Sequence, residues 1–231
     1  MARTFLFGGH SFEVAGDAAL YWPAQKMLVV SDLHLEKASA YAAGGQMLPP
    51  YDSLATLEEV AALVDQIRPE VVLSLGDNFH DSEGESRLQG GASELLQQLV
   101  ASVQWVWVTG NHDPDVEGRW GGEAVESLKC GNVIFRHEAV REETEPEISG
   151  HFHPKFRQAV RGRHVSRRCF VRSSRKLVMP AFGSLTGGLD VQDPALIAAF
   201  ACTDPETIEA LVPTRHAIAH FTVSASPALA K

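Results

Sequence analysis

The stretch Lys26-Met27-Leu28-Val29-Val30-Ser31-Asp32-Leu33-His34 decides the architecture. Its apolar run is short, continuous and partly β-branched, which reads as a strand buried on both faces. A carboxylate and an imidazole follow two residues apart, so both side chains can leave the strand end on one side. The same arrangement recurs three times. Val71-Val72-Leu73-Ser74-Leu75 leads into Gly76-Asp77-Asn78-Phe79-His80, and Trp105-Val106-Trp107-Val108 leads into Gly110-Asn111-His112-Asp113. A short run at 147–149 leads into Gly150-His151-Phe152-His153. One such pair occurs by chance in many chains, whereas four in series, each at a strand end, point to one binuclear hydrolase site.

Working outward, the intervals from Asp32 to Asp77 and from Asp77 to Asn111 each accommodate a strand–helix–strand unit of roughly 30 or more residues. Leu57, Val60, Val64 and Ile67 recur at helical spacing and predict a helix over 53–67, with Pro69 just past its end. A second helix is predicted over 92–101. Residues 1–14 read as a hairpin, and Gly44-Gly45 and Pro49-Pro50 mark a loop. The second half changes to shorter strands near 132–136, 147–149, 158–171 and 176–179, with helices expected at 194–201 and 205–211 and a polar tail from Ser224. The pattern predicts a mixed α/β sandwich flanked by helices, its later strands closing a second sheet against the first. No repeat or linker divides the 231 residues, so one domain over 1–231 is expected.

Composition bounds the function. Hydrophobic residues make up 45% and charged residues 21%, as in ordinary globular proteins, and no run approaches a membrane span. Cys130, Cys169 and Cys202 share no spacing motif, so reduced thiols in a cytoplasmic protein are expected. The net charge of −9 disfavours a nucleic-acid partner until its distribution is read. Residues 155–176 carry nine of the 20 Lys and Arg and no acid, leaving the remainder at −18. Just upstream, Glu142, Glu143, Glu145 and Glu147 form an acidic run.

Asp32 and His34, with His151 and His153, offer ligands in i, i+2 pairs. Asp77 can bridge two ions with its two carboxylate oxygens, and Asn111 adds a neutral carbonyl. A binuclear set still needs a ligand between the third and fourth motifs. His137, ending the run Asn132-Val133-Ile134-Phe135, is the histidine available there. Two carboxylates, one amide and several imidazoles suit Mn²⁺ or Fe²⁺, with Zn²⁺ also compatible. His112 follows a proposed ligand directly and projects toward the substrate mouth, where it could protonate a leaving oxygen. Asp113 is placed to orient His112 or the loop. His80 is placed to contact substrate or His112, or to pack.

These residues resemble the calcineurin-like metallophosphoesterase superfamily, whose pattern is D-x-H, G-D, G-N-H-[DE], a separate His, then G-H-x-H. The resemblance implies one metal on Asp32, His34, Asp77 and His153 and another on Asp77, Asn111, His137 and His151, with His112 catalytic. The second motif, extended by His80, is similar to that of the superfamily's double-strand-break-repair nucleases. Over almost the whole chain the sequence resembles the bacterial ligase-associated DNA damage response endonucleases (PdeM type). The residues that carry this are Ser31-Asp32-Leu33-His34-Leu35-Glu36-Lys37, Leu48-Pro49-Pro50-Tyr51 and Pro180-Ala181-Phe182-Gly183-Ser184-Leu185-Thr186-Gly187-Gly188. That likeness implies a manganese-dependent phosphodiesterase acting on single-stranded DNA in repair, alongside a ligase or helicase. It also implies that residues 180–188 form a structural turn near the site.

The basic segment bears on the same point. Arg157, Arg161, Arg163, Arg167 and Arg168 could cradle a polynucleotide's phosphates, or could instead neutralise the acidic run at 142–147. Phe156 and Phe170 give little aromatic interleaving for base stacking. The expected activity is hydrolysis of DNA phosphodiester bonds. The competing readings are a phosphomonoesterase or small-nucleotide phosphodiesterase using the same metals, and a non-catalytic DNA-binding subunit.

Overall fold

The computed structural model describes residues 3–114, 119–160, 162–200 and 207–223. Strands β1 (Thr4–Phe7), β2 (His10–Ala15), β3 (Ala19–Trp22) and β4 (Met27–Val30) form an antiparallel meander. From β4 the same sheet continues in parallel through β5 (Val71–Leu75), β6 (Gln104–Val108) and β7 (Glu123–Val125). The crossovers run through α1 (Lys37–Ala43) and α2 (Asp52–Ile67), then through α3 (Gly84–Arg87) and α4 (Gly90–Ser102).

A second seven-stranded sheet is built from β8 (Ser127–Cys130), β9 (Val133–Arg136), β10 (Glu147–Ser149), β13 (Phe170–Arg172), β14 (Lys176–Val178), β15 (Ile208–Pro213) and β16 (Ile218–Val223). The order across it is β16-β15-β13-β14-β10-β9-β8. A separate hairpin, β11 (Lys155–Val160) and β12 (Arg163–Arg168), leaves the sheet between β10 and β13. One short helix, α5 (Pro194–Ala199), packs on the outside, its first turn capped by the Asp193 side chain accepting from the Ala195 amide.

Side-chain alternation explains the layering. Met27 and Val29 on β4, Leu73 and Leu75 on β5, and Val106 and Val108 on β6 face inward to Phe135, Ile148, Phe170, Leu177 and Leu211 of the second sheet. Their neighbours Leu28, Val30, Val72, Trp105 and Trp107 face outward against Leu57, Val60 and Leu63 of α2 and Leu96 and Leu99 of α4. On the far side, Val171, Val178, Ala210 and Val212 pack against Leu196, Ala199 and Phe200. The central strands are therefore apolar at nearly every position because both their faces are covered. The result is the mixed α/β two-sheet architecture with flanking helices that the strand pattern predicts.

Two elements differ from the sequence reading. The helix expected at 205–211 is replaced, among the described residues, by strand β15. Ala210 and Val212 face the outer core while Leu211 faces the inner one, a period of two that pairing with both β13 and β16 enforces. The single strand expected at 158–171 is instead the β11–β12 hairpin followed by β13. Residues 201–206 and the tail from Ser224 lie outside the described residues. No described helix is long and apolar enough to cross a membrane.

Candidate metal centre

The ligand-type residues gather beyond the carboxyl ends of β4, β5 and β6 of the first sheet and β9 and β10 of the second, at the strand ends where α/β proteins collect ligands. They form two clusters with Asp77 in both. One comprises Asp32, His34, Asp77 and His153, and the other Asp77, His137 and His151. In the first, the Nε2 atoms of His34 and His153 lie 3.3 Å apart. Nε2 of His153 is 3.1 Å from Asp32 Oδ1, and Nε2 of His34 is 3.7 Å from Asp77 Oδ2. In the second, Asn111 Oδ1 lies 2.8 Å from His137 Nε2 and 3.0 Å from His151 Nδ1, while His137 Nε2 is 3.4 Å from Asp77 Oδ1.

The donor set fits divalent ions. Nδ1 of His137 donates to the Leu75 carbonyl at 3.0 Å, which leaves the Nε2 lone pair facing the Asn111 oxygen. Two acceptors directed at one point repel unless a cation lies among them. An outer hydrogen bond that fixes the tautomer of a ligating histidine is the usual accompaniment of a metal site. Oxygen and imidazole donors in this ratio are compatible with Mn²⁺, Fe²⁺ or Zn²⁺.

Backbone conformation concentrates at the same place. Asp32, His34, Asp77, His151 and His153 all have positive φ, between 45° and 69°. Each non-glycine residue held there costs of the order of 1–3 kcal/mol. Glycines make the close approaches possible. A Cβ on Gly76 would meet the His137 ring at 2.5 Å, one on Gly110 would strike the Asp77 backbone, and one on Gly150 would strike Ser31 and Asp32.

Electrostatics prepare the ligands. Burial alone would raise the Asp32 carboxyl, but the hydrogen bond with His153, the electropositive rings of His153 and His137 beside it and the Ser31 hydroxyl at 2.6 Å hold it below the usual range. The His151 amide adds a further donor to this carboxylate, at 3.1 Å. Burial pushes His34 down to about 3, so its ring is neutral and free to coordinate at neutral pH. Its Nδ1 is buried without a hydrogen-bond partner among the described residues, while Nε2 turns into the cluster.

The supporting residues take more specific places than the sequence predicts. His112 is partly exposed at the rim. Its amide donates to Asp77 Oδ1 at 3.0 Å, and its Nδ1 donates to the carbonyl of His80 at 2.8 Å. The His80 ring stacks on it at 5.6 Å, and the ring of Tyr41 of α1, which the sequence reading missed, is tilted against His80 at a centroid distance of 5.6 Å. Asp113 serves the loop, and no hydrogen bond links it to the His112 ring. Its carboxylate accepts from the amides of Asn78 at 2.8 Å, Phe79 at 3.2 Å and Gly110 at 3.1 Å. Burial nevertheless pushes Asp113 up to about 6.

A family model described as calcineurin-like phosphoesterase matches residues 25–163. The chain belongs to this family. As a calcineurin-like phosphoesterase it is a hydrolase of phosphoric esters that uses divalent metals. It is similar to the crystal structure of Pseudomonas putida nuclease MPE, with 25% identity and a TM-score of 0.70, covering 91% of this chain and 96% of that one. A phosphoesterase from E. coli, Yfce, aligns at 14% identity and a TM-score of 0.41, over 86% of this chain and 99% of that one. No curated protein matches the chain significantly.

The basic segment is largely engaged within the phosphoesterase fold. Lys155 Nζ donates to the Thr186 carbonyl at 3.0 Å, Arg157 to Gly188 at 2.9 Å and Arg168 to Gly183 at 2.7 Å. These contacts pin the 183–188 turn, whose Gly183 abuts the Leu33 carbonyl and whose Gly188 abuts that of His153. The glycine-rich stretch is thus a structural turn beside the site, as the resemblance implies. The acidic run finds partners elsewhere, with Glu143 and Glu147 on Arg136 and Glu145 on Lys129. Arg163 and Arg167 are exposed, and Arg161 lies outside the described residues.

Proposed function

We propose that this chain is a two-metal phosphodiesterase that cleaves DNA phosphodiester bonds, with single strands as substrate and Mn²⁺ as the working metal. The observation that carries the reading is the pair of acceptor-lined clusters sharing Asp77, with His112 hinged beside them. Asp32, His34, Asp77 and His153 would hold one ion, and Asp77, Asn111, His137 and His151 the other. When bound, the ions supply Lewis-acid polarisation of the phosphoryl oxygens and an activated water.

The chain's own residues do the rest. With Nδ1 of His112 committed to the His80 carbonyl, Nε2 is the atom that exchanges a proton. It lies 3.9 Å from Asp77 Oδ2, on the edge of the metal centre. A proton on Nε2 is delivered to the leaving oxygen as the ester bond breaks. The His80 ring limits how far His112 can swing, and Asp113 fixes the turn that supplies the His80 carbonyl. Support for a polynucleotide substrate comes from the likeness to a nuclease and from the exposed Arg163 and Arg167 on the hairpin that begins two residues after His153. A DNA-repair setting follows from the sequence resemblance, as does a ligase or helicase partner.

The test is a Mn²⁺-supplemented assay comparing circular single-stranded DNA, linear duplex, and aryl phosphodiesters and phosphomonoesters. Cleavage of the circle and the diester, lost in His112→Ala, is expected. Turnover of monoesters alone would overturn the reading in favour of a phosphomonoesterase.

A further inference from the structure

The β11–β12 hairpin has two faces with different work. Lys155, Arg157 and Arg168 occupy one and hold the 183–188 turn. Cross-strand register puts Phe156 opposite Arg167 and Gln158 opposite Val165 on the other. That second face covers a cavity of about 640 Å³. Its opposite wall comes from β15 and β16, through Val212, Pro213, Ala219 and Phe221, and Arg215 sits at the turn between them.

The sequence offers Phe156 little company, yet the fold brings Phe221 to it from 65 residues away. The two rings stack with centroids 4.3 Å apart and an interplanar angle of 24°. Phe221 remains 37% exposed, an unusual state for a large apolar ring paired with another. Arg167 and Arg215 are both exposed at the mouth, and neither has a hydrogen bond or ion pair among the described residues. The one acid on the rim, Asp17, is already paired with Arg3. An apolar slot of ligand size with an aromatic platform and two unengaged guanidinium groups matches a nucleotide, the base on the ring and the phosphates on the arginines.

We infer that this slot binds an unpaired nucleotide of the polynucleotide strand being cut, stacking its base on Phe221. The inference rests on the phosphodiesterase reading and deepens it. Phe156 is three residues from His153, so its Cα lies within about 11 Å of that of the proposed ligand. A strand seated on the platform is thereby led to the metals within a few nucleotides. Duplex DNA, whose bases are stacked on one another, cannot use the platform. This gives a physical basis for preferring single strands.

The test uses the full chain in chelator, where binding is read without cleavage. Fluorescence anisotropy of a labelled single-stranded oligonucleotide, together with quenching of 2-aminopurine placed along it, reports affinity and stacking. Phe221→Ala is expected to weaken binding roughly ten- to a hundred-fold and abolish the quench, the size of one base–aromatic stack. Phe221→Tyr should retain both, and thermal melting verifies that each variant is folded. Arg167→Gln and Arg215→Gln should each lower the slope of log affinity against log salt by about 0.7. If Phe221→Ala binds as wild type does, the inference falls and the proposed activity stands. If wild type binds no single strand in chelator, the inference falls, while the proposed activity is decided separately by the Mn²⁺ cleavage assay. If a free mononucleotide saturates the site as tightly as the oligonucleotide does, the slot is a free-nucleotide site and the strand path is overturned.

Discussion

The carbonyl oxygen of His80 accepts a 2.8 Å hydrogen bond from Nδ1 of His112. A backbone group thus selects the tautomer of the rim histidine and sets its Nε2 facing the metal centre. The His80 carbonyl is held in turn because the Asp113 carboxylate takes the amides of Asn78 and Phe79 just before it. Asp113 therefore acts on His112 at one remove, through the loop.

His112→Ala should lower kcat for an aryl phosphodiester by about 10²–10⁴, the range for loss of a general acid. Because the side chain is exposed, stability should move by no more than about 0.5 kcal/mol. Steady-state kinetics beside a melting curve separate the two effects. A large drop in Tm would show that the histidine supports the fold instead.

Metal removal should be visible without any substrate. At an Mn²⁺ concentration of 100 times Kd, binding stabilises the folded state by about 2.7 kcal/mol. In a chain of this length that corresponds to a rise in Tm of roughly 5–10 °C. Asp77→Asn should abolish the rise, since Asp77 serves both clusters, while asparagine tolerates the φ of 47° found there. Differential scanning calorimetry in chelator and in Mn²⁺ decides it.

The gathering of Asp32, His34, Asp77, His137, His151 and His153 into two clusters was legible in the sequence because its geometry is local. An i, i+2 pair after an apolar run carries its own direction, and even His137 could be found from the ligand that the motifs lacked. What stayed hidden depends on distant pairing. Strand β15 read as a helix because only its ladders with β13 and β16 impose a period of two. Phe221 could not be matched to Phe156, nor Tyr41 to His80, from spacing alone. Whether Asp113 orients His112 or the loop stayed open in the sequence because its partners are backbone amides, which every residue carries.

Glycine substitutions should divide sharply within the site. Gly110→Ala and Gly150→Ala drive a methyl into the Asp77 backbone and the Asp32 carboxylate respectively, so both should lose Mn²⁺ retention and melt several degrees lower. Gly187→Ala meets nothing within 4 Å and should melt within about 2 °C of wild type. Metal analysis after gel filtration provides the readout, and a Gly150→Ala protein that keeps its metal would contradict the close packing.

Cys169 should resist thiol reagents in the folded protein. It is fully buried, and burial pushes its thiol up to about 12. At pH 8 only about one molecule in ten thousand carries the reactive thiolate. Alkylation followed by peptide mass spectrometry should label Cys130 before Cys169, and Cys169 only after denaturation. Rapid labelling of Cys169 in the native state would indicate local opening of β13.

The basic segment should separate into structural and surface charges when its members are changed singly. Lys176 is almost completely buried, and its Nζ donates to the carbonyls of Val140 at 2.5 Å and Ala199 at 2.9 Å. Lys176→Met strips both acceptors of their donor and should cost about 3 kcal/mol, since each unsatisfied buried group costs roughly 1–3 kcal/mol. Arg163 is exposed at the hairpin, and Arg163→Gln should leave denaturant stability within about 0.5 kcal/mol while reducing the salt dependence of single-strand binding. Urea melts paired with salt titrations of anisotropy distinguish the outcomes. If Lys176→Met left stability intact, its buried ammonium would not be the cross-link between β14, the 140–141 turn and the end of α5 that the geometry describes.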